Sequence, residues 1–199
     1  NVCGRDVHTS PTGQTDAAKA LLAKSPTAKK DLILAYRDKG TEPARAAAVQ
    51  QALIAAGFKV TMMKLPRAGY YTRIGQRDVG VVQPDVIQTS WGFDWAAASG
   101  IVPALLDGRT MSPTDSHSNY SRQNEPSMQS LFAKADMITD PVKSDKALGD
   151  LEQKIVVDFA GVVPMYIEAS TFMTGSKLGG VQADGGYGTL SPLAAFVRK

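Results

Sequence analysis

The sequence predicts an α/β fold built as a three-layer lobe, in which helices cover both faces of a mixed, largely parallel sheet. Residues 32–65 carry the clearest signal, because a short apolar run, an amphipathic segment and an alternating segment follow one another. This order of strand, helix and strand builds parallel sheets with right-handed crossovers. Another strand is predicted at residues 86–91, and helical patterns return after residue 124. The alternation of strands and helices therefore indicates the α/β class.

The amino-terminal part divides into an irregular lead-in and a helix. Residues 1–14 are polar and contain glycine and proline, which disfavour regular backbone structure. Thr15 or Asp16 can cap the helix that follows, and alanine and leucine side chains form its apolar side as far as about Lys24. A Ser-Pro pair then ends the helix.

The next segment contains the predicted strand, helix and strand. Residues 32–36 form an apolar run of strand length. A helix is predicted to begin near Thr41 and Pro43 and to close at Gly57, which suits the left-handed position that ends many helices. Residues 58–63 then alternate with the period of a strand.

The middle of the chain carries the residues of most chemical interest. Residues 86–91 have the β-branched and aromatic content of a short buried strand, and a second apolar run occupies residues 101–106. Trp91, Asp94 and Trp95 lie where the strand gives way to a loop. Ligand crevices of open α/β sheets lie at the carboxyl ends of strands. An acid and two aromatic residues are therefore predicted at the place where such a fold binds its ligand.

The second half of the chain is predicted to contain a surface loop, two helices, a strand and a glycine-rich tail. Residues 109–124 have the polar composition of a surface loop, and Pro126 opens the first helix. Asp140 is the predicted cap of the next helix, which begins with proline. Residues 162–167 form a strand candidate that contains a proline, which favours a sheet edge. Residues 175–199 combine a glycine-rich connection with a short terminal apolar segment.

Composition and charge argue against several functional classes. Of the 199 residues, 43% are hydrophobic and 21% are charged, and no apolar run approaches the roughly 20 residues that span a bilayer. The net charge of +3 is small and the basic residues are scattered, which argues against nucleic-acid binding. Cys3 is the only cysteine, so a disulfide within one chain is excluded and a free thiol is expected.

The first residues carry no targeting signal. The chain begins at Asn1 without an initiator methionine or a signal-peptide pattern, and we therefore expect a processed product or a piece of a longer protein. A single cysteine is compatible both with the cytoplasm and with an export pathway in which disulfides are not needed. These features alone leave the localisation open.

Several segments together resemble the carboxy-terminal lobe of the family 5 extracellular solute-binding proteins. The most specific match is Trp91-Gly92-Phe93-Asp94-Trp95, followed by Ile-Val-Pro-Ala-Leu-Leu-Asp-Gly at residues 101–108. Weaker matches are the helix-to-strand junction at residues 53–60, the turn Asn119-Tyr120-Ser121 and the run Val163-Pro164-Met165-Tyr166. The resemblance covers nearly the whole chain and implies one lobe of a periplasmic-binding-protein type II fold.

The resemblance also implies an architecture and a role. Members of the family are two-lobed proteins that close around a ligand and feed peptides, nickel complexes or oligosaccharides to ABC importers. Residues 1–199 would then be a single carboxy-terminal lobe, and residues 175–199 would run toward the missing amino-terminal lobe. The implied protein is a monomer that passes a solute, most readily an oligopeptide, to an ABC permease. It would be a bacterial lipoprotein, extracellular or periplasmic, anchored through the missing part, with no enzymatic activity, cofactor or metal.

Site residues follow from the same resemblance. In peptide-binding members, an aspartate at the position of Asp94 receives the α-ammonium group of the ligand, and a tryptophan at the position of Trp91 lines a side-chain pocket. The resemblance accordingly implies ligand contacts for Trp91, Gly92, Phe93, Asp94 and Trp95. Asp94 is equally suited to cap the segment that follows it, and both tryptophans are suited to the hydrophobic core. The choice among a peptide, a sugar and a metal chelate is left open.

The rival hypothesis is an α/β hydrolase-like or transferase domain that uses Asp94 and His117. An aspartate and a serine directly precede His117 in the sequence. Catalytic triads assemble in space from distant positions, and the chain has neither a Gly-x-Ser-x-Gly elbow nor a His-Glu-x-x-His pair. The expected role of His117 is therefore that of an exposed loop histidine.

Overall fold

Two compact units make up the described part of the chain. The computed structural model describes residues 13–76, 81–92, 94–112, 116–166, 171–184, 189–191 and 195–197. The first unit, called the sheet unit, contains the described residues within Arg5–Ser90 and Met111–Tyr120. The second, called the helical unit, contains the described residues within Trp91–Thr110 and Ser121–Lys199.

Three parallel strands form the sheet of the sheet unit. β1 (Asp31–Arg37) lies between β2 (Lys59–Leu65) and β3 (Val86–Ile87), and both neighbours run parallel to it. β1 is the central strand, and Leu34 and Ala35 at its centre are fully buried, although their side chains point to opposite faces of the sheet. The α/β class and the parallel pairing are confirmed. Among the described strands, antiparallel pairing occurs only in separate two-stranded sheets.

The first helix, α1 (Thr15–Ala23), matches the predicted bounds but not the predicted cap. Gln14 occupies the cap position, and no side chain there bonds to a helix amide. Thr15 and Asp16 instead lie inside the first turn, where the Asp16 carboxylate still interacts favourably with the positive end of the helix dipole. No residue of α1 is fully buried.

Two further helices complete the sheet unit. α2 (Glu42–Ala56) connects β1 to β2 and buries Ala46 and its last residue, and α3 (Tyr70–Gly75) precedes β3. Gly57 closes α2 with a φ of 108°, a left-handed conformation that glycine adopts without strain. Both the start near Pro43 and the glycine end of α2 are therefore confirmed.

The predicted strand at residues 86–91 is shorter and less buried than expected. β3 contains only Val86–Ile87, both partly exposed. The Gln88 amide still donates to the Ala35 carbonyl at 2.9 Å, but Thr89 and Ser90 are exposed. Within the described residues β3 pairs with β1 alone. The residues past 88 therefore have no second strand beside them that could extend the hydrogen-bonded ladder.

The helical unit buries its core among three helices. They are α4 (Val102–Leu106), α5 (Pro126–Asp136) and α6 (Pro141–Lys154), and the last continues into a π-helical turn at Ile155–Phe159. Their core consists of Ala98, Val102, Leu106, Met128, Phe132, Ala135, Leu148, Leu151 and Ile155. The Asp140 cap is confirmed, because its carboxylate accepts the Lys143 amide at 2.9 Å.

The predicted strand at residues 162–167 is wrong over the part that can be described. Residues 161–166 join no strand ladder, and Ile167 lies outside the described residues. Pro164 has no amide to donate to a neighbouring strand. Val163 and Met165 are 63% and 62% exposed, so these two apolar side chains lie at the surface.

Short antiparallel pairs occur near the carboxyl terminus. β4 (Leu178–Gly179) pairs with β7 (Phe196–Val197), and β5 (Gln182–Asp184) pairs with β6 (Thr189–Ser191). Part of the predicted glycine-rich connection is therefore regular structure. Most of the predicted lead-in, including Cys3, lies outside the described residues. Among the described helices, none combines the length and apolarity needed to cross a membrane.

Candidate functional site

The residues predicted to contact a ligand lie at the start of the helical unit. Gly92 and Asp94 are exposed, Trp95 is 53% exposed, and Trp91 is partly buried. Phe93 lies outside the described residues. Neither described tryptophan belongs to the buried core, so the hypothesis that they are core residues is not supported.

Residues 94–100 form a closed backbone turn, which we call the ligand loop because the family resemblance implies ligand contacts at Asp94 and Trp95. The Asp94 amide donates to the Gly100 carbonyl at 3.2 Å, which joins the two ends of the loop. Inside it, the Ala97 amide donates to the Trp95 carbonyl at 2.8 Å, and the indole Nε1 of Trp95 donates to the Ser99 hydroxyl at 2.9 Å. The hydrogen bond to Ser99 therefore orients the exposed indole.

Gly100 is required by this closure. A Cβ atom at this position would lie 2.5 Å from the carbonyl oxygen and 2.9 Å from the amide nitrogen of Trp95. Both are backbone atoms of the same closed loop, so neither can move aside without opening it. The absent side chain thus permits the backbone to fold back on itself beside the tryptophan.

One contact anchors the ligand loop to the core of the helical unit. Ala98 is fully buried, and its amide donates to Oδ1 of Asp145 on α6 at 2.9 Å. The loop then leads into α4, and the Ile101 amide donates to the Ala98 carbonyl at 3.1 Å. A buried amide satisfied by a carboxylate makes a strong, charge-assisted hydrogen bond.

The hypothesis that Asp94 caps the following helix is wrong. The cap position of α4 is Ile101, that of the preceding 3₁₀ turn Ala98–Gly100 is Ala97, and no side chain bonds to a helix amide at either position. Within the described residues, the exposed Asp94 carboxylate has no hydrogen-bond or ion-pair partner. An open carboxylate next to an exposed, oriented indole can pair with an ammonium group and contact an apolar group.

His117 belongs to the sheet unit and lies close to α3. Its amide donates to the Gly75 carbonyl at 3.4 Å, and the Ser116 hydroxyl donates to the Thr72 carbonyl at 3.2 Å. His117 is partly buried, whereas the expectation was an exposed loop histidine. The neighbouring acid, Asp115, lies outside the described residues. The described residues contain no group of acidic, histidine and cysteine side chains that could hold a metal ion.

A cluster of charged and aromatic side chains in the sheet unit was not predicted. Arg37 forms a hydrogen-bonded ion pair with Glu42, and its guanidinium carbon lies 5.0 Å from the ring centre of Tyr71 and 5.8 Å from that of Tyr70. The Tyr71 ring also lies 6.2 Å from the Tyr120 ring. The hydrogen bond to Glu42 raises the pKa of Arg37. In the sequence, only the adjacency of Tyr70 and Tyr71 pointed to this cluster, and it did not indicate that Arg37 and Tyr120 would contact them.

Both tyrosines of α3 also bond to the segment that follows β3. The Tyr70 hydroxyl donates to the Gln88 carbonyl at 2.5 Å, and the Tyr71 and Ser90 hydroxyls lie 3.2 Å apart. Burial raises the pKa of the Tyr70 phenol well above its usual range. Asn119, of the predicted family turn, is fully buried, so this part of the predicted surface loop lies in the interior of the unit.

A second ionic cluster lies at the carboxyl end of the motif at residues 101–108. The carboxylate of Asp107 is almost fully buried and accepts from Arg109 Nε at 3.0 Å through each of its oxygens. Arg109 also binds the Asp136 carboxylate at the end of α5, at 2.7 Å. These hydrogen bonds raise the pKa of Arg109. The arginine therefore ties α4 to α5 and has a structural role.

Comparison with known proteins places this geometry in a known fold. No family model and no curated protein matches the sequence. Solved structures do match. The clavulanic acid biosynthesis oligopeptide binding protein 2 aligns with 99% of this chain at a TM-score of 0.84 and 21% identity. The fold is that of a solute-binding-protein lobe.

Two further structures share the lobe fold. The substrate-binding domain of an oligopeptide ABC transporter from Bacillus anthracis str. Ames aligns with 93% of this chain, with a TM-score of 0.67 and 16% identity. A dipeptide-binding protein from Pseudoalteromonas sp. SM9913, in complex with Met-Leu, aligns with 92%, with a TM-score of 0.64 and 18% identity. This chain spans only 37%, 34% and 35% of the three proteins, respectively.

Proposed function

We propose that this chain is the ligand-binding lobe of an extracellular solute-binding protein that delivers a peptide to an ABC transporter. The observation that carries the proposal is the exposed Asp94 carboxylate, unpartnered within the described residues, beside an oriented Trp95 indole. The lobe fold supports it, because the three structures with this fold are described as peptide-binding or as part of a peptide transporter.

Asp94 is proposed to receive the amino terminus of the peptide. An ammonium group that leaves water needs a charged partner, because an unpaired buried charge costs several kcal/mol. The Asp94 carboxylate serves this purpose, since neither the following 3₁₀ turn nor α4 uses it as a cap. The backbone closure to Gly100 holds the residue in place without occupying its side chain.

The neighbouring residues are proposed to shape the pocket. Trp91 lines it, and Trp95 offers an indole face that the Ser99 hydroxyl holds in position. Gly92 leaves room for the ligand, because a Cβ atom there would have no neighbour within 4 Å. Phe93 is also proposed to contact the ligand, because it lies between Gly92 and Asp94 in the motif. Aromatic walls with one polar anchor are typical of small-ligand sites.

The architecture of the complete protein is also part of the proposal. The chain is a single carboxy-terminal lobe, and residues 175–199 connect it to an amino-terminal lobe. Exposed apolar side chains at Phe196 (57%) and Val197 (75%) support a covering partner there. The ligand bridges the two lobes, and its higher affinity for the closed state drives closure. The closed monomer binds the permease at the outer face of the membrane or in the periplasm, with a lipid anchor in the missing part.

No chemical step is assigned to this site. The structures that share the fold are binding proteins, which favours capture over catalysis. The rival hydrolase or transferase hypothesis needs His117 as a general base. No observation on the described residues favours that role.

A titration followed by nuclear magnetic resonance tests the proposal. The ¹⁵N-labelled chain is titrated with trialanine at millimolar concentrations, since half a site binds weakly, and then with trialanine acetylated at its amino terminus. We expect trialanine to shift the indole signal of Trp95 and the amide of Asp94, and the acetylated peptide to bind much more weakly. Asp94→Ala should weaken trialanine binding in the same way, and in the complete two-lobed protein, where the ion pair is enclosed, it should weaken peptide binding by roughly 2 to 5 kcal/mol.

The control for that variant is Asp16→Ala, which removes an exposed carboxylate of α1 outside the motif. It should leave the titration unchanged. The losses from Asp94→Ala and from acetylation should not add, because both remove the same ion pair. No shift with any free peptide would refute the peptide assignment, and equal shifts with the acetylated form would refute the role of Asp94.

A further inference from the structure

We propose that Asp145 of α6 is a positioning residue for the ligand loop, which it holds in its binding conformation from outside the site. The inference rests on the proposed function, since it assigns a role toward the ligand that Asp94 and Trp95 would contact. Asp145 is not part of the predicted motif and lies 47 residues from its partner Ala98 in the sequence. Its contact with the loop appears only in the folded chain.

The position of Asp145 is explained by the loop and not by its own helix. Aspartate has a low helix propensity away from the first turn, because its carboxylate competes for nearby backbone groups. Asp145 lies past the first turn of α6, whose cap is Asp140. Its carboxylate instead accepts the amide of the fully buried Ala98 at 2.9 Å. Without this acceptor the amide would be buried and unsatisfied, which proteins rarely tolerate.

The effect of this bond extends to both predicted contact residues. Ala98 follows Ala97, whose amide donates to the Trp95 carbonyl, and it precedes Ser99, whose hydroxyl accepts from the Trp95 indole. The loop ends at Gly100, whose carbonyl accepts the Asp94 amide. Fixing Ala98 therefore fixes the backbone of Asp94 and the indole of Trp95 together. A loop ordered before binding loses less conformational entropy when the ligand arrives.

The same helix supplies a matched control. Asp140 is also an aspartate of α6, and its carboxylate accepts the Lys143 amide at 2.9 Å as the helix cap. Removing it should destabilise α6 without releasing the Ala98 amide. A comparison of Asp145→Ala with Asp140→Ala thus separates loss of loop position from loss of helix stability.

The experiment measures two quantities on the chain and on each variant. One is the affinity for trialanine, and the other is the hydrogen-exchange rate of the Ala98 amide relative to the amides of Leu148 and Leu151 in α6. Asp145→Ala should weaken trialanine binding about tenfold, because the ligand loop must then lose its conformational entropy when the peptide binds. It should also speed the exchange of the Ala98 amide, but not that of the α6 amides. Asp140→Ala should lower the melting temperature without either change. Asp145→Asn keeps an acceptor oxygen and should retain most of the affinity.

Each result supports or overturns the inference. If Asp145→Ala leaves the Ala98 exchange rate unchanged, or if Asp140→Ala weakens binding as strongly, Asp145 is only a structural residue. If trialanine binding depends on Asp94 but not on Asp145, the proposed function stands and the positioning role falls. If the wild-type chain binds no peptide, the proposed function fails. If Asp145→Ala does not fold, Asp145→Asn and its Ala98 exchange rate decide the question.

Discussion

The guanidinium group of Arg37 binds the Glu42 carboxylate from the side, with Nε 3.1 Å from Oε1 and 3.0 Å from Oε2. The two side chains are only 12% and 16% exposed, and the rings of Tyr70 and Tyr71 lie within 6 Å of the guanidinium carbon. The pair therefore joins the end of β1 to the start of α2 and supports the tyrosines of α3.

Arg37→Lys should reduce the free energy of unfolding by about 1 to 2 kcal/mol, although it keeps the charge. The Nη2 atom of Arg37 also donates to Glu42 Oε1, and a lysine ammonium can reproduce neither this planar contact through two nitrogens nor the wide contact with the rings. Chemical denaturation measures the change. Lys59→Ala is the control, because its ion pair with Asp31 spans 3.7 Å between well-exposed side chains. A loss for Arg37→Lys no larger than that of the control would contradict the prediction.

Gly108→Ala should destabilise the helical unit by about 1 to 3 kcal/mol through overpacking. A Cβ atom there would lie 2.8 Å from the Asn124 Cα and closer still to its amide oxygen, and a backbone atom cannot rotate away. Gly92→Ala is the matched control, since nothing lies within 4 Å of its added Cβ. Thermal unfolding should distinguish the two, and equal melting temperatures would show that the chain relaxes around residue 108.

Alkaline pH should destabilise the fold through Tyr70. Burial raises the folded pKa of this phenol above its unfolded value of about 10, so the neutral form is favoured in the folded state. The contribution of Tyr70 to the free energy of unfolding is fully present below about pH 10. It is lost as the pH rises from about 10 toward the folded pKa, because in this range the phenol ionises in the unfolded chain only. Stability should therefore fall with increasing pH above about 10.

Tyr70→Phe should reduce this dependence without abolishing it, since burial also raises the pKa of Tyr120. The measurement is the free energy of unfolding of both proteins at several pH values between 8 and 11. The variant should be less stable at pH 8, where it lacks the hydrogen bond to the Gln88 carbonyl. Parallel curves for the two proteins would exclude Tyr70 as a source of the alkaline effect.

Amide exchange should be slow in the centre of β1 and fast in β7. Leu34 and Ala35 are fully buried and lie between two parallel strands, whereas Phe196 and Val197 are 57% and 75% exposed and pair with a two-residue strand. Protection follows local burial and hydrogen bonding. Exchange measured residue by residue should therefore differ widely between the segments. Similar protection in both would indicate that β7 is covered in solution.

Sequence patterns correctly predicted those elements that depend on residues close together in the chain. The alternation at residues 58–63 predicted β2, and the position of Gly57 after a helical pattern predicted its left-handed conformation, because each depends on residues within one turn or strand. The Asp140 cap was predicted for the same reason, since its partner amide lies three residues away. The residue motif at positions 91–95 likewise indicated the lobe fold that the comparisons confirm.

Other features depend on contacts between residues far apart in the chain. Strand propensity suggested six residues for the segment after Asp85, but β3 contains only two, which pair with Leu34 and Ala35, because strand formation depends on a partner strand as well as on propensity. A cap was as plausible as a ligand contact for Asp94 until the structure placed Ala97 and Ile101 at the cap positions, with no side-chain cap at either.

The sequence by itself determined the α/β class, the strand, helix and strand at the amino-terminal side, and the motif that bears the candidate site. Only the tertiary structure decided how that site is held. The amide of Ala98 meets the carboxylate of Asp145 across 47 residues, and Arg37 meets two tyrosines of α3. Helical and strand periodicities describe which face of an element is apolar, whereas these polar contacts depend on which elements pack together, and that information is not local.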